Sequence, residues 1–493
     1  MKDESKFSKV LSILLSVVLV ISSFYLLYQV IRLNVLPSKF LFPLTIGVVV
    51  LDAIFILLLI YFSKNVVSKI VCIVLTLFIC VATCMGGYYI SKTQNVLSNI
   101  TNVAKHAKNT VSVIVKESSS IKDKSQLNGV SVGSLRLNEQ GSKKVLKELS
   151  GEGIVLNQTE YDSMTALLEA FYNGEVDSII INESSRSQIL DMEAYSNFDS
   201  NTRVVYQTSY KVKNNDSATS VSDITSKPFN VLISGSDTRG GFDENGRSDV
   251  IMIATVNPKT HTILLTSVPR DFYVTTACDA GDGCMQGALD KITHTGIHGT
   301  NTTKRTVEQL LGIEINYTFK VGFDTVTELV DVLGGVDVYV EPGYATTTSE
   351  FSVHEGVNHL NAQQALAFAR ERYSYTEGDR QRTKNQQQVL MGIVKEATKP
   401  SVITNYAAIM DTMANTFSTT MSNEEITDLI KYQLNNNPTW KMEQYMVDGT
   451  GDTLMCAELG DAASVMVPDQ STVKMAKDKI NAVLAGKSSE DVK

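Results

Sequence analysis

Arginine is unevenly distributed along the chain, and its clusters are the first sign of chemistry in the sequence. Seven of the 12 arginines fall in two short windows, whereas the scattered basic residues are mostly lysine. These seven are Arg239, Arg247, Arg270, Arg370, Arg372, Arg380 and Arg382. The guanidinium group is a rigid fork of donors that matches phosphate oxygens and stays charged when partly buried. Salt bridges with the interleaved acids are the alternative, but seven clustered arginines favour a site for a phosphorylated ligand.

Spacing within the second window indicates how these side chains could converge. Arg370 and Arg372 are two residues apart, so on a strand they would point to one face. Arg382 and Gln386 are four apart and would share one face of the long helix predicted there. Asp379 is a candidate N-cap for that helix, and a helix N-terminus presents free N–H groups to an anion. The pattern predicts a site for a diphosphate.

Carboxylates accompany the first window at the ends of predicted strands. Asp237 follows one strand, Asp249 opens the next, and Asp271 lies beside Arg270. Hard oxygen ligands suit Mg²⁺, which commonly shares phosphate oxygens with one or two carboxylates. The sequence therefore predicts Mg²⁺, with Mn²⁺ as the alternative metal, at Asp237 and Asp249. Strand-end capping and ion pairing are the other interpretation of these acids.

Other residues capable of chemistry form no recognisable catalytic motif. The sequence contains no G-x-S-x-G elbow, no Walker loop and no H-E-x-x-H helix. His294 and His298 are four apart, but the glycines between and after them favour a turn, so we expect structural roles. Cys278 and Cys284 bracket a Gly- and Asp-rich loop, for which a disulfide and two free thiols are both compatible with the sequence.

Three apolar runs of about 20 residues fill the N-terminal part, each long enough to cross a membrane as a helix. They span residues 10–31, 41–62 and 70–90. Lysines precede the first run and separate the second from the third, so the positive-inside rule predicts a cytoplasmic N-terminus. Everything after about residue 90 is then extracytoplasmic, in a multi-pass protein of the cell membrane. Asp52 is expected to be a helix-packing acid, with a functional role as the alternative.

The rest of the chain is acidic and divides into α/β parts. The net charge is −9, of which the first 90 residues contribute +4, so that the remainder carries −13. This balance argues against nucleic acid as a partner, because such binding depends on neutralising phosphates with basic residues. Strands alternate with helices on both sides of a polar linker. The predicted order is a 1–90 anchor, a 91–109 connector, a 110–212 accessory α/β domain, a 213–228 linker, a 229–487 main domain and a 488–493 disordered tail.

Several segments of the main domain match a known family when they are taken together. They are "ISGSDTRG", "GRSDVIMIATVNP", "LLTSVPRDFYV", "DKITHTGIHG", "VDVLGGVDVYV" and "ARERYSYTEGDRQRTKNQQQVL". In this combination the chain resembles the LytR-CpsA-Psr family over about residues 229–400. The three spans followed by an accessory domain resemble the streptococcal capsule-locus member of that family.

The resemblance implies a phosphotransferase that moves a glycopolymer from a polyprenyl-pyrophosphate carrier to peptidoglycan. It implies a mixed sheet with helices on both sides and an apolar pocket for the prenyl chain. It assigns Mg²⁺ to Asp237 and Asp249. Because phosphoryl transfer depends on positioning and on neutralising charge, Arg270 and Asp249 are the catalytic candidates, with Asp249 as the carboxylate that could accept the proton of the acceptor hydroxyl. The pyrophosphate contacts that the resemblance implies are Arg247, Arg270, Arg370, Arg372, Arg382 and Gln386, with Arg239 and Arg380 also inside the motifs.

Two alternatives to a transferase remain open from the sequence. The first is a pyrophosphatase that cleaves the carrier linkage with water as the acceptor. The second is a regulator or binding module that controls capsule production without catalysis. Besides the lipid carrier, peptidoglycan and membrane lipid, capsule-assembly proteins are possible partners through the accessory domain or the spans.

Overall fold

The computed structural model describes residues 6–62, 65–101, 106–236, 244–278, 284–399, 408–409, 412–413 and 417–492. The chain divides into two compact units. The first consists of Met1–Thr101, Glu396–Ala414 and Ser422–Thr439. The second consists of Asn102–Lys395, Asn415–Met421 and Trp440–Lys493.

Long apolar helices dominate the first unit. They are α1 (Lys6–Leu33), α2 (Ser38–Leu57) and α3 (Val66–Thr101), and a π-helical turn extends α2 over Leu58–Phe62. All three are long and apolar enough to cross a membrane, so the structure contains the three long apolar helices that the sequence predicted. Large apolar side chains such as Phe24 and Phe78 are exposed along them, as suits a surface that faces lipid. The Ser23 hydroxyl of α1 donates to Asp52 of α2 at 2.9 Å, a contact that joins the two helices.

A five-stranded sheet is formed by the described strands of the accessory segment, in the spatial order β3-β2-β4-β1-β5. Strand β1 is antiparallel to β4 and β5, whereas β2 is parallel to β3 and β4. The strands are β1 (His106–Lys116), β2 (Ser131–Leu135), β3 (Asn157–Tyr161), β4 (Ser178–Asn182) and β5 (Thr202–Lys213). The helices are α4 (Glu139–Gly151), α5 (Met164–Asn173), α6 (Arg186–Asp191) and α7 (Phe198–Asn201).

Helix α5 shows why the accessory sequence folds in this way. The Ser163 hydroxyl caps its first turn by accepting a hydrogen bond from the Ala166 N–H at 3.1 Å. Gly174 ends it in the left-handed conformation, with φ of 80°. Between these ends, Leu167 and Phe171 are fully buried against the sheet.

The remaining strands of the second unit follow in chain order. They are β6 (Phe229–Ser236), β7 (Val250–Asn257), β8 (Thr262–Ser267), β9 (Tyr273–Thr275), β10 (Leu289–Lys291), β11 (Tyr317–Gly322), β12 (Val336–Val340), β13 (Thr346–Thr347), β14 (Ser352–Val353), β15 (Gly356–Leu360), β16 (Phe417–Thr419), β17 (Lys441–Met446), β18 (Gly449–Cys456) and β19 (Asp461–Pro468). The helices are α8 (Thr300–Leu311), α9 (Phe323–Leu333), α10 (Ala362–Arg370), α11 (Asp379–Ala397), α12 (Asn423–Asn436) and α13 (Gln470–Leu484), of which α12 belongs to the first unit.

The main sheet is mixed, with the described strands in the order β16-β11-β6-β7-β8-β17. Strand β7 is antiparallel to both of its neighbours, β6 and β8. Each of these has a parallel partner on its other side, β11 beside β6 and β17 beside β8. Alternate residues of a strand point to opposite faces. Leu232 and Ile253 accordingly pack with α8 and α13, whereas Ile233 and Met252 face α10 and α11. Helices therefore cover both faces of the sheet.

The C-terminal segment differs from the predicted disordered tail. Residues Ser489–Asp491 form a short 3₁₀ helix, and Ser489 is buried. The Ser489 N–H donates to the carboxylate of Glu443 at 2.8 Å, and Lys479 donates to the Ser489 carbonyl at 2.6 Å. The segment is ordered because Glu443 is itself buried and needs hydrogen-bond donors.

The paired cysteines of the main domain are joined in the structure. Cys278 and Cys284 form a disulfide with their Cα atoms 5.6 Å apart. Residues 279–283 between them lie outside the described part of the chain.

Candidate functional site

One cavity of about 410 Å³ in the second unit collects most of the predicted site residues. Five of the seven clustered arginines line it: Arg247, Arg270, Arg370, Arg372 and Arg382. Asp249 and Gln386 line it as well. The sequence-based expectation that these residues converge on one site is therefore met in the geometry.

Neighbouring strands bring the first group of these residues together. Arg247 and Asp249 directly precede β7, and Arg270 lies three residues after the end of β8. Because β7 and β8 are antiparallel, with Met252 opposite Ser267, these positions share one edge of the sheet. There the Arg270 Nη1 donates to the Asp249 Oδ1 at 2.9 Å.

Helix ends position the second group, and here one prediction is wrong. Arg370 is the last residue of α10, and Arg372 follows that helix, so the two do not lie on a strand. The helix begins with a capping box in which Asn361 accepts from the Gln364 N–H, and it continues to Arg370. Apolar residues on one helical face, among them Ala365 and Phe368, are buried and hold α10 in place.

Helix α11 supplies Arg382 and Gln386 from adjacent turns of one face, as predicted from their spacing. Asp379 is the first residue of this helix, and its carboxylate pairs with Arg382 three residues later. The acid thus orients a cavity arginine instead of capping the helix from outside.

One of the predicted residues, Arg380, does not line the cavity, and two others are not among the described residues. Arg380 is exposed and turned away, pairing with Asp448 at 2.7 Å and donating to the Gly449 carbonyl at 3.0 Å. Asp237 and Arg239 lie outside the described residues. Their predicted roles therefore stay predictions.

The cavity holds an excess of buried positive charge. The side chains of Arg247, Arg270 and Arg382 are only 11%, 19% and 14% exposed. Burial and the neighbouring cations Arg270 and Arg372 lower the pKa of Arg382 below its usual value, although Asp379 acts in the opposite direction. Burial also opposes the charge on Arg270, but Asp249 and Asp271 outweigh it and raise the pKa of that group.

Buried donors in the cavity are available to an anionic ligand. The Nε atoms of Arg247, Arg270 and Arg382 are buried and have no hydrogen-bond partner among the described residues. A buried donor without an acceptor costs about 1–3 kcal/mol, more when it is charged. An anionic ligand with several oxygens, such as a diphosphate, would relieve this cost at all three groups.

An apolar cavity of about 80 Å³ adjoins the arginine cavity, and the two share Gln386. Side chains of β6, β7, α10 and α11 line it, including Ile233, Met252, Leu366 and Leu390. None of these four residues is among the site residues predicted from the sequence. The sequence pattern that could have predicted this cavity is the apolar face of α11, where Val389, Leu390 and Ile393 recur at helical spacing. A ligand spanning both cavities would combine an anionic head with an apolar chain.

The histidines of the main domain have hydrogen-bond partners, and one predicted metal ligand, Asp249, lies at the cavity. His294 is buried with its Nδ1 2.7 Å from Asp290, and His298 Nε2 lies 2.9 Å from Glu458, as expected for structural side chains. Within the described ranges, no group of three or more His, Cys, Asp or Glu residues has the geometry to hold a metal ion. Asp249 is the described member of the predicted ligand pair, and its carboxylate is largely buried at the cavity.

A mixed α/β sheet places an arginine cavity beside an apolar one, an arrangement with the charge and polarity that suit an anionic amphiphile. The chain belongs to the LytR_cpsA_psr family, whose sequence model matches residues 194–482. It is 31% identical over 241 residues to the Bacillus cereus polyisoprenyl-teichoic acid–peptidoglycan teichoic acid transferase TagU, covering 48% of this chain and 76% of that protein. The Bacillus subtilis TagU is 34% identical over 203 residues, covering 41% of this chain and 63% of that protein. A crystal structure of Bacillus subtilis TagU matches with 28% identity and a TM-score of 0.40, over 52% of this chain and 97% of that one.

Proposed function

We propose that this protein is a membrane-anchored transferase that moves a polyprenyl-pyrophosphate-linked glycopolymer onto peptidoglycan. The observation that carries the proposal is the pairing of an arginine cavity with an apolar cavity through Gln386. The related TagU proteins are named as polyisoprenyl-teichoic acid–peptidoglycan transferases. The finer identity of the polymer as a capsular polysaccharide rests on the resemblance of the anchor and accessory domain to the streptococcal capsule-locus member.

The cavity would act mainly by position and charge. In phosphoryl transfer the protein has little covalent chemistry to perform, so rate enhancement comes from alignment and from stabilising charge on the phosphoryl oxygens. Arg270 and Arg382 are held in fixed orientations by Asp249 and Asp379, respectively. Such preoriented donors stabilise the transition state without reorganising during the reaction. The adjoining apolar cavity would hold the first part of the prenyl chain and so fix the position of the diphosphate.

A metal ion fits this chemistry. Asp249 offers hard carboxylate oxygens beside the cavity, and Asp237 directly follows β6, the strand paired with β7. These two residues would hold Mg²⁺, which when bound would neutralise charge on the pyrophosphate oxygens. We also propose Asp249, a carboxylate of the cavity beside the predicted metal, as the group that accepts the proton of the acceptor hydroxyl.

The three apolar helices would keep the site on the membrane that contains its lipid-linked substrate. We propose that residues after about 90 are extracytoplasmic, as the distribution of lysines around the spans predicts. Peptidoglycan is then accessible as the acceptor. The accessory domain and the spans are available for contacts with capsule-assembly proteins.

Substitution in living cells tests the proposal. Arg270→Ala and Arg372→Ala should leave the protein folded and in the membrane but release polymer from the wall into the medium. Arg136→Ala is the matched control, because this exposed accessory arginine pairs with Asp162 and does not line the cavity. Unchanged wall-linked polymer in both cavity variants would contradict the proposal. Phosphate release measured with and without a peptidoglycan acceptor separates transfer from hydrolysis by water.

A further inference from the structure

One wall of the arginine cavity comes from the accessory domain. The lining residues from this domain are Glu183, Ser184, Arg186, Ser187, Leu190 and Asp191. They come from helix α6 and the short turn before it. The sequence predicted only partner contacts for this domain, so its contribution to the cavity wall is unexpected.

Buried ion pairs hold this wall in place. Arg186 donates to Glu183 through two nitrogens at 2.6 and 2.8 Å, and to Asp199 at 2.9 Å. Its guanidinium also lies over the ring of the fully buried Phe198, at 5.4 Å. Bidentate pairing and stacking restrict the arginine to one geometry. The wall is therefore a preformed surface.

A second contact attaches the accessory sheet to the segment that carries Arg247. Glu244, three residues before this arginine, is buried, and its carboxylate accepts from Lys108 at 3.0 Å and from the Thr110 hydroxyl. Both partners belong to β1. The accessory sheet and a cavity arginine are thus fixed to each other through Glu244.

At the cavity itself, Asp191 pairs directly with Arg247. Arg247 is largely buried, whereas the Asp191 side chain is 56% exposed. One of the cavity arginines is therefore already neutralised by a carboxylate that the accessory domain provides. A phosphate group placed against Arg247 would also lie close to the Asp191 charge, and like charges at that distance repel.

A lipid diphosphate that carries a sugar and one that carries none would place different chemical groups beside Asp191. A diphosphate without a sugar ends in a free phosphate, which brings additional negative charge toward Asp191. A diphosphate that carries a sugar replaces that charge with hydroxyl groups, which can donate to a carboxylate. Ser184 adds to this, because its hydroxyl oxygen is buried in the wall and has no hydrogen-bond partner in the described part of the protein.

We propose that this accessory wall is the sugar-recognition site of the cavity, and that Asp191 selects sugar-bearing diphosphates over those without a sugar. This recognition rests on the proposed function, and the substrate feature that the wall would bind is the sugar attached to the diphosphate. Discrimination of this kind combines an attractive contact to the right ligand with a repulsive one to the wrong ligand. A site built to bond a hydroxyl also rejects analogues that lack it.

The test compares two lipid diphosphates on the full-length chain in detergent. Calorimetry would give the affinities for geranylgeranyl pyrophosphate and for geranylgeranyl-pyrophosphoryl-N-acetylglucosamine. The unaltered protein should favour the sugar-bearing compound, and Asp191→Asn should reduce that preference by about tenfold, chiefly by binding the sugar-free compound more tightly. Asp191→Ala, which also removes the acceptor, should in addition weaken binding of the sugar-bearing compound.

The matched control is Asp162→Asn, which removes an exposed carboxylate that pairs with Arg136 elsewhere in the accessory domain. This variant should keep the original preference. If the unaltered protein binds both compounds and Asp191→Asn keeps their affinity ratio, the sugar-recognition inference is overturned while the proposed function stands. An unaltered protein that binds both compounds equally would also overturn it. Binding of neither compound would overturn the proposed function and the inference together.

Discussion

Arg270 and Asp249 form a largely buried ion pair between the end of β8 and the start of β7, with the Arg270 Nη1 2.9 Å from the Asp249 Oδ1. The same carboxylate lies 3.6 Å from the Arg247 Nη2. Asp249 therefore orients two cavity arginines at once. Removing one partner of a buried pair leaves an uncompensated charge, which is more costly than the loss of an exposed pair.

This relationship makes Asp249→Asn a test of the three roles proposed for this carboxylate together: to orient two arginines, to hold the metal ion and to accept a proton. We expect the rate of polymer transfer to peptidoglycan fragments to fall by about a hundredfold, the scale of losing a preoriented electrostatic group. Asp162→Asn is the control, because this exposed acid of the accessory domain pairs with Arg136 and does not line the cavity. It should change the rate less than about threefold. Equal losses in the two variants would show that the Asp249 contacts have no special role.

Helix α11 carries two arginines that can be compared, one inside the cavity and one outside it. Arg382 lines the cavity, whereas Arg380 is exposed and pairs with Asp448. Arg382→Gln should weaken binding of a sugar-linked geranylgeranyl pyrophosphate by at least about tenfold, because a charge-assisted contact to phosphate is lost. Arg380→Gln should stay within about twofold of the original affinity. Calorimetric titration measures the affinity of both variants. If Arg380→Gln weakens binding more than Arg382→Gln does, Arg382 is not part of the proposed site.

The apolar cavity can be tested separately from the arginine cavity. Leu390→Trp places a larger side chain in a space of about 80 Å³ and should block the prenyl chain. Binding of the lipid diphosphate should weaken at least about tenfold, while inorganic pyrophosphate should bind as before. Lys395→Trp, at an exposed position of the same helix, should affect neither ligand. If Leu390→Trp leaves lipid binding intact, this cavity does not hold the chain.

Local sequence signals predicted a large part of the fold and of the arginine site. Helix α8 ends before Gly312 and α9 before Gly334, and both glycines have positive φ, the local signal by which a sequence marks a helix end. The four-residue spacing of Arg382 and Gln386 correctly placed them on one helix face. These features succeed because helix ends and helix faces are encoded within a few residues.

The failures arise where local signals compete or where contacts are distant in the chain. Arg370 and Arg372 alternate with other residues as on a strand, but the capping box at Asn361 starts a helix that extends through Arg370. The contact of Asp191 with Arg247 joins residues 56 positions apart and depends on the packing of two sheets. No pattern within either segment indicates that contact.

Glu443 gives a prediction about stability that is independent of function. Although burial alone would raise it, hydrogen bonds from Lys441, Ser489 and Ser488 lower the pKa of Glu443 from its ordinary 4.5 to about 2. A lowered pKa means that the carboxylate stabilises the fold above pH 4.5 and loses this effect as the pH falls through about 2. Glu443→Gln should therefore destabilise the full chain by about 3 kcal/mol at pH 7, and by about half as much at pH 3. Heat unfolding in detergent at both pH values measures the difference.

Glu490→Gln is the control for Glu443→Gln. It removes the exposed carboxylate that pairs with the same lysine, Lys441, and should lower the free energy of unfolding by less than about 1 kcal/mol. If the loss of stability in Glu443→Gln is the same at both pH values, the charge of the buried carboxylate does not stabilise the fold.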